Sequence, residues 1–283
     1  MEDFEIQSCN VSRDKRVHSL YPAKCLIDNS EVVLKCINLK TCDLKNLVYL
    51  LESWSRVGHK NISKALCWFQ QNDREAIVFE QCSKSLQEVI NGYRITQQKI
   101  PEWLVWKVLL QFCDALTYLQ RRGLSYTELN TKNVTVDACG SLQLHNLLMY
   151  TPSELELNVC VDMSTSFQGI YVAPERIRGQ GHSERQAVWT LGCILYEMVK
   201  LEPAFCLRNG SNIFDTLNEI VHGTPPPKLD QADGFSQGLI NLITSCLMPE
   251  ARLRPALDDL RGIAKEQVER TKFCRNSHQR STI

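Results

Sequence analysis

Four basic side chains crowd one short stretch, Arg13, Lys15, Arg16 and His18, and residues of that type could hold a phosphate. A charge run of this kind as readily forms a solvated turn. The six histidines are scattered, and no His-Glu-x-x-His pair exists to hold a zinc ion. Nor is there a G-x-S-x-G elbow for a serine nucleophile or a P-loop for a nucleotide triphosphate. The thirteen cysteines are odd in number, spread from Cys9 to Cys274, and make no C-x-x-C pair. They read as reduced thiols of a cytoplasmic or nuclear protein.

The elements that must position any site come in two blocks. Short runs rich in Val, Ile, Cys and aromatics (Leu20–Ile27, Glu31–Ile37, Lys64–Phe69, Ala76–Glu80) are parted by turn signals at Asp28-Asn-Ser30 and Gln71-Asn-Asp73, the pattern of an antiparallel sheet. Within that block Leu44, Leu47, Leu51 and Trp54 have helical spacing, so one helix is expected over Asp43–Val57. Beyond Glu80 long helical periodicities take over. Pro101 opens one whose apolar residues are Val105, Leu109, Phe112, Leu116 and Leu119, with Gly123 at its end. Short strands Asn133–Val136 and Leu142–Leu144 follow, then helices over Ser183–Lys200, Ser211–Val221, Ser236–Leu247 and Ala256–Arg270. With 43% hydrophobic and 23% charged residues the chain can bury a core, and 283 residues allow one large domain or two lobes. The formal net charge of zero argues against nucleic acid or anionic lipid as partner. The longest uncharged run, Gly234 to Pro249, is too short to span a bilayer, and Met1-Glu-Asp-Phe-Glu5 lacks the features of a secretory signal.

Five words stand in an informative order: Val32-Val-Leu-Lys35 on a strand, Asn133 after a long helix, Ala173-Pro-Glu175, Trp189-Thr-Leu-Gly192 and Arg254-Pro255. Together they resemble a eukaryotic protein kinase domain over residues 4–264. His59-Lys-Asn-Ile62 and Glu219-Ile-Val-His-Gly-Thr-Pro-Pro-Pro227 are similar to NIMA-related kinases. The resemblance implies an α+β, bilobal fold: a small antiparallel β lobe with one helix (4–81), a larger mainly helical lobe (82–264), and a short basic tail over 265–283. It also assigns positions. Lys35 matches the strand lysine that holds the α and β phosphates, Asn133 a metal ligand, Trp189 the anchor of a central helix, and Glu175 with Arg254 a buried structural ion pair.

Other positions depart from the family. The segment matching its glycine-rich loop, Arg13–Leu20, has no glycine. The helix glutamate that pairs with the lysine is replaced by Leu50, unless another register brings Glu52 there, and Val33 stands where a small alanine meets adenine. In the catalytic loop Glu128 replaces the aspartate base, whose reach its extra methylene changes. Asn130 replaces the lysine that neutralises the transferring phosphoryl, and Thr127 the arginine that reads an activation-segment phosphate. Asn146-Leu-Leu148 takes the place of D-F-G, thirteen residues after Asn133, so a neutral amide faces a cation that prefers anionic oxygen. Ala187 replaces an aspartate that ties down the catalytic loop, so that tether must be rebuilt or relaxed.

The pattern implies a pseudokinase that scaffolds or allosterically engages another protein, such as an active kinase or its substrate. No cofactor is expected beyond residual ATP binding through Lys35, Asn133 and Asn146, with Mg²⁺ weak or absent. The alternatives are a weak Ser/Thr kinase with Glu128 as base and an ATP sensor without turnover. Ser164, Thr165 and Ser166 are candidate modification positions. The end Ser281-Thr282-Ile283 resembles a PDZ ligand, although chain ends of this kind are commonly unstructured.

Overall fold

The computed structural model describes residues 4–6, 18–38, 56–71, 74–80, 84–126, 129–145, 149–150, 170–180, 183–207 and 212–280. The expected helix over Asp43–Val57 falls almost wholly outside them. So do the loop at Arg13, Lys15 and Arg16, and Thr127, Glu128, Asn146, Leu147, Leu148, Ser164, Thr165, Ser166 and Ser281–Ile283.

Five strands make the first layer: β1 (Phe4–Ile6), β2 (His18–Cys25), β3 (Glu31–Asn38), β4 (Ala65–Gln71) and β5 (Arg74–Glu80). All neighbours are antiparallel, in the order β1-β2-β3-β5-β4. The β2–β3 turn uses the expected Asp28-Asn-Ser30 signal. Asp28 Oδ1 accepts from the Ser30 N–H at 2.9 Å and from its hydroxyl at 2.6 Å, and Asn29 takes φ 59°, a left-handed conformation that asparagine tolerates better than most residues. Alternation sends Ala23, Val32, Leu34 and Val78 into a small core. Phe4 and Phe69, from the two outer strands, stack beside it at 5.6 Å, so the sheet curls until its edges meet.

The larger part is helical: α1 (Leu86–Ile95), α2 (Glu102–Gln120), α3 (Pro174–Ile177), α4 (Arg185–Lys200), α5 (Ile213–Val221), α6 (Gln237–Cys246) and α7 (Leu257–Arg280). Val105, Leu109, Phe112, Leu116 and Leu119, the stripe read from the sequence, are all buried on α2. Pro101 is its N-cap rather than its first helical residue. Two ribbons lie among the helices, β6 (Ser125–Tyr126) with β9 (Met149–Tyr150) and β7 (Val134–Val136) with β8 (Leu142–Leu144). Gly192 shows how closely α4 meets α6: a Cβ there would lie 2.8 Å from Cys246 Cβ.

Two expectations need correction. Helix α1 was not read from the sequence, although Ser85 and Glu88 form a full capping box at its start. And α7 does not stop at Arg270: it continues to Arg280, so residues 265–280 of the basic tail are one helix with the end of the domain.

Candidate functional site

The two lobes meet at the His59-Lys-Asn-Ile62 segment. Asn61 Nδ2 donates to Gln111 Oε1 of α2 and to the Leu142 carbonyl of β8, both at 2.8 Å. The backbone on either side exchanges bonds with Leu144. One buried asparagine thus fixes the sheet's last strands to the ribbon β7–β8, and that ribbon frames the central loop. Lys35 lies mid-strand on β3, in register with Leu20 of β2 and Ile77 of β5.

Residues 129–133 form that loop between β6 and β7. Asn130 Oδ1 accepts from the backbone N–H groups of Lys132 at 2.9 Å and Asn133 at 3.0 Å. This is the local turn that asparagine favours. The side chain therefore organises its own loop, and where a lysine would carry a charge outward this residue carries none. Asn133 is half-buried, and its carbonyl accepts from the His145 N–H at 2.8 Å. That bond brings Asn133 against the residue preceding Asn146. Tyr126, 8% exposed, donates its hydroxyl to the His145 carbonyl at 2.7 Å. His145 itself is held by Thr135, its Nε2 2.8 Å from Thr135 Oγ1, and burial pushes its pKa down to about 4.

A ring of buried polar groups ties this loop to the helices, and the sequence did not announce it. The Gln87 N–H donates to the Thr131 carbonyl at 2.9 Å. Gln87 Nε2 donates to Glu197 Oε1 at 3.1 Å, and the Tyr171 hydroxyl donates to Glu197 Oε2 at 2.5 Å. The Thr131 hydroxyl sits 2.9 Å from Gln87 Oε1 and 3.0 Å from Tyr171 Oη, its single proton serving one at a time. Four segments meet here: α1, the 129–133 loop, the stretch before α3, and α4. Burial raises the Glu197 pKa, a rise the Tyr171 and Gln87 donors oppose, and burial beside Glu197 pushes the Tyr171 phenol well up. The resemblance matches Ala187 of α4 to a tethering aspartate; alanine has no side-chain hydrogen bond to give, and the loop is tied through Thr131. A clue existed: Glu197 follows Trp189 and Cys193 at four-residue spacing, which puts a carboxylate on the helix's apolar face.

Below the loop the expected structural pair is complete. Arg254 Nη1 and Nη2 meet Glu175 Oε1 and Oε2, each at 2.8 Å. The remaining donors go to the carbonyls of Met248 (2.7 Å), Arg185 (3.0 Å) and Pro249 (3.0 Å). Trp189, 1% exposed, stacks on Phe205 and carries the Arg254 guanidinium 5.0 Å from its ring centre.

Residues 19–264 match the protein kinase domain family. The chain belongs to that family. Among curated proteins the kinase domain is similar to human serine/threonine-protein kinase Nek11, 28% identical over 231 residues covering 79% of this chain and 34% of that protein. It is similar also to mouse serine/threonine-protein kinase Nek10, 25% identical over 210 residues covering 74% and 18%. The resemblance to NIMA-related kinases thus holds, and the chain spans only a third or less of these relatives' length. In fold it is similar to the crystal structure of Rad53 1-466 in complex with AMP-PNP, with a TM-score of 0.72 and 18% identity over 92% of this chain and 64% of that one. The bilobal α+β architecture is accordingly that of a protein kinase.

Of the positions that the resemblance matches to a metal, Asn133 is described and Asn146 lies outside the described residues. Asn133 is the ligand type that the resemblance implies, whereas Asn146 offers a neutral amide oxygen where Mg²⁺ prefers an anionic one. Among the described residues no three His, Cys, Asp or Glu side chains cluster as a metal site. Among the described residues, too, no helix is long and apolar enough to cross a membrane.

Proposed function

We propose that this protein kinase domain does not transfer phosphoryl groups and serves as a scaffold or allosteric partner for another protein, such as an active kinase or its substrate. The observation that carries this reading is Asn130. Its side chain is spent on closing the loop, and it brings no positive charge to a transferring phosphoryl. Supporting it are the neutral Asn146, Glu128 in place of the base, and the glycine-free Arg13–Leu20 segment. Losing a base costs about 10²–10⁴ in rate and losing an electrostatic stabiliser about 10²–10³. Even with strong non-additivity, turnover should fall well below the usual range of roughly 1–100 s⁻¹.

Lys35 favours a second reading, ATP binding without turnover. Two measurements separate the readings. Labelled ATP with a generic Ser/Thr substrate should give no incorporation above a Lys35→Met control. Metal-dependent incorporation that vanishes in the control would sink the proposal. In thermal melts the scaffold reading expects no shift with ATP. A ligand at 100 times its Kd adds about 2.7 kcal/mol, so an ATP shift without Mg²⁺ would establish the sensor, and a Mg²⁺-dependent shift would revive the enzyme.

A further inference from the structure

A cleft of about 310 Å³ opens where the C-terminal half of α2 meets the 56–60 segment and α7, lined by His59, Asp114, Thr117, Tyr118, Arg121, Arg122 and Arg261. None of these residues occupies a nucleotide, metal or catalytic-loop position. We propose that this cleft binds a phosphate monoester carried on a partner peptide, a phosphoserine or phosphothreonine side chain.

Charge is the first reason. Three arginines face one aspartate, and His59 adds none near neutral pH, because burial lowers its pKa below the usual imidazole value. Two positive charges remain, matching a phosphoryl group of about −1.5 to −2 better than a single carboxylate. The aspartate does not block the site: Arg261 Nε holds Asp114 Oδ1 at 2.6 Å.

The walls are also set in advance. The Gly58 N–H donates to the Tyr118 hydroxyl at 2.9 Å, and the His59 ring lies 5.0 Å from that of Tyr118. Arg122 is held with its guanidinium carbon 4.3 Å from the Tyr118 ring centre, so less of its freedom remains to be lost on binding. His59 Nδ1 accepts from the Asn61 N–H at 3.1 Å, which leaves the neutral ring its proton on Nε2 as a donor.

The deepest lining residue supplies an independent sign. Thr117 is only 8% exposed, and its Oγ1 has no hydrogen-bond partner in the protein. A buried hydroxyl left so is an energetic defect that a rotation toward a ligand oxygen would cure. Guanidinium groups around such an oxygen make the strong charge-assisted bonds by which phosphorylated motifs are recognised. The volume suits a phosphorylated side chain with its backbone rather than a bare ion.

The proposal deepens the scaffold reading by naming a surface and a partner chemistry, and its test reads binding only, so the absence or presence of phosphoryl transfer does not affect it. The probes are a fluorescein-labelled degenerate phosphoserine/phosphothreonine peptide pool, the same pool after phosphatase treatment, and inorganic phosphate. Fluorescence anisotropy with the full chain should show the phosphorylated pool binding at least tenfold tighter than the treated one. The Arg121→Ala/Arg122→Ala double variant should erase that difference, and Thr117→Val should weaken binding several-fold while melting no earlier than wild type. Lys228→Ala, an exposed cation outside the cleft, should change nothing. Equal affinity for the two pools, full retention in the double variant, a comparable loss in Lys228→Ala, or inorganic phosphate binding as tightly as the peptide would each overturn the assignment.

Discussion

Replacing Arg254 by alanine tests most directly what holds the helical lobe together. All five guanidinium N–H groups are used: two on the Glu175 carboxylate, one each on the carbonyls of Met248, Arg185 and Pro249. The Arg254 side chain has no solvent exposure and Glu175 only 8%, so water cannot take over the bonds. Truncation strands a buried carboxylate, which costs about 3–5 kcal/mol, and orphans three carbonyls besides. It also removes the cation near the Trp189 ring. At about 2.1 cal/mol/K per residue of unfolding entropy, a loss of that size lowers Tm by roughly 5–8 °C. Urea unfolding followed by Trp fluorescence should show the loss as a lower midpoint with an unchanged slope. The double variant Glu175→Ala/Arg254→Ala should be less damaged than the two single losses added, because no charge is left unpaired. Arg254→Lys should fall between, since an ammonium cannot make the two-pronged bond. A loss under about 1 kcal/mol for Arg254→Ala would refute the account, because a pair worth so little behaves as a surface one.

Two further outcomes concern pH. His145 is uncharged in the folded protein until about pH 4, whereas an unfolded histidine takes its proton near 6.5. Between those values the unfolded state binds more protons, so stability falls on acidification by on the order of 3 kcal/mol. In His145→Gln that share of the acid loss should be missing from the pH 7 to pH 4 stability curve. Parallel curves for variant and wild type would exclude the effect. Tyr171→Phe removes a donor that holds the raised Glu197 pKa down, so it should rise further. The native state then binds more protons than the unfolded one above the usual carboxylate range, and stability declines as pH increases. The variant should lose about 1.5–3 kcal/mol at pH 8 and less at pH 5, by chemical denaturation at each pH. A deficit independent of pH would show that the phenol matters by packing alone.

What could be read from residues alone divides along a physical line. Elements defined by period were legible: the α2 stripe, the two long sheet pairings and the β7–β8 ribbon, because burial on one face writes itself into spacing. The Glu175–Arg254 pair and the Trp189 anchor were legible through the resemblance. Helix α1 was missed although Leu86, Val89, Ile90 and Tyr93 keep helical spacing and a capping box marks the start; it is only ten residues long and carries Gly92 within it. The extent of α7 beyond Arg270 was missed because residues 271–280 hold only Phe273 and Cys274 as apolar side chains, too few to make a stripe. The Gln87, Thr131, Tyr171 and Glu197 ring was missed for a deeper reason. Its members lie on four segments from residue 87 to residue 197, and hydrogen bonds between distant residues leave no period.

That ring bears on how this kinase domain holds its central loop. A buried loop must have its backbone groups bonded, whatever chemistry it performs. Here Asn130 satisfies two of the loop's N–H groups from within, and Gln87 donates to the Thr131 carbonyl from α1. Thr131, 1% exposed, then joins the loop to Tyr171 and Glu197. At residue 130 a neutral amide stands where the resemblance places a charged lysine. The exchange favours a fixed loop, since amides and hydroxyls lose less on burial than unpaired ions do. The same neutrality is what supports the proposal that the domain does not transfer phosphoryl groups: a phosphoryl group leaving ATP needs positive charge beside it at the moment its own charge shifts. On the proposed reading residue 130 serves the backbone of its own loop and not a phosphate.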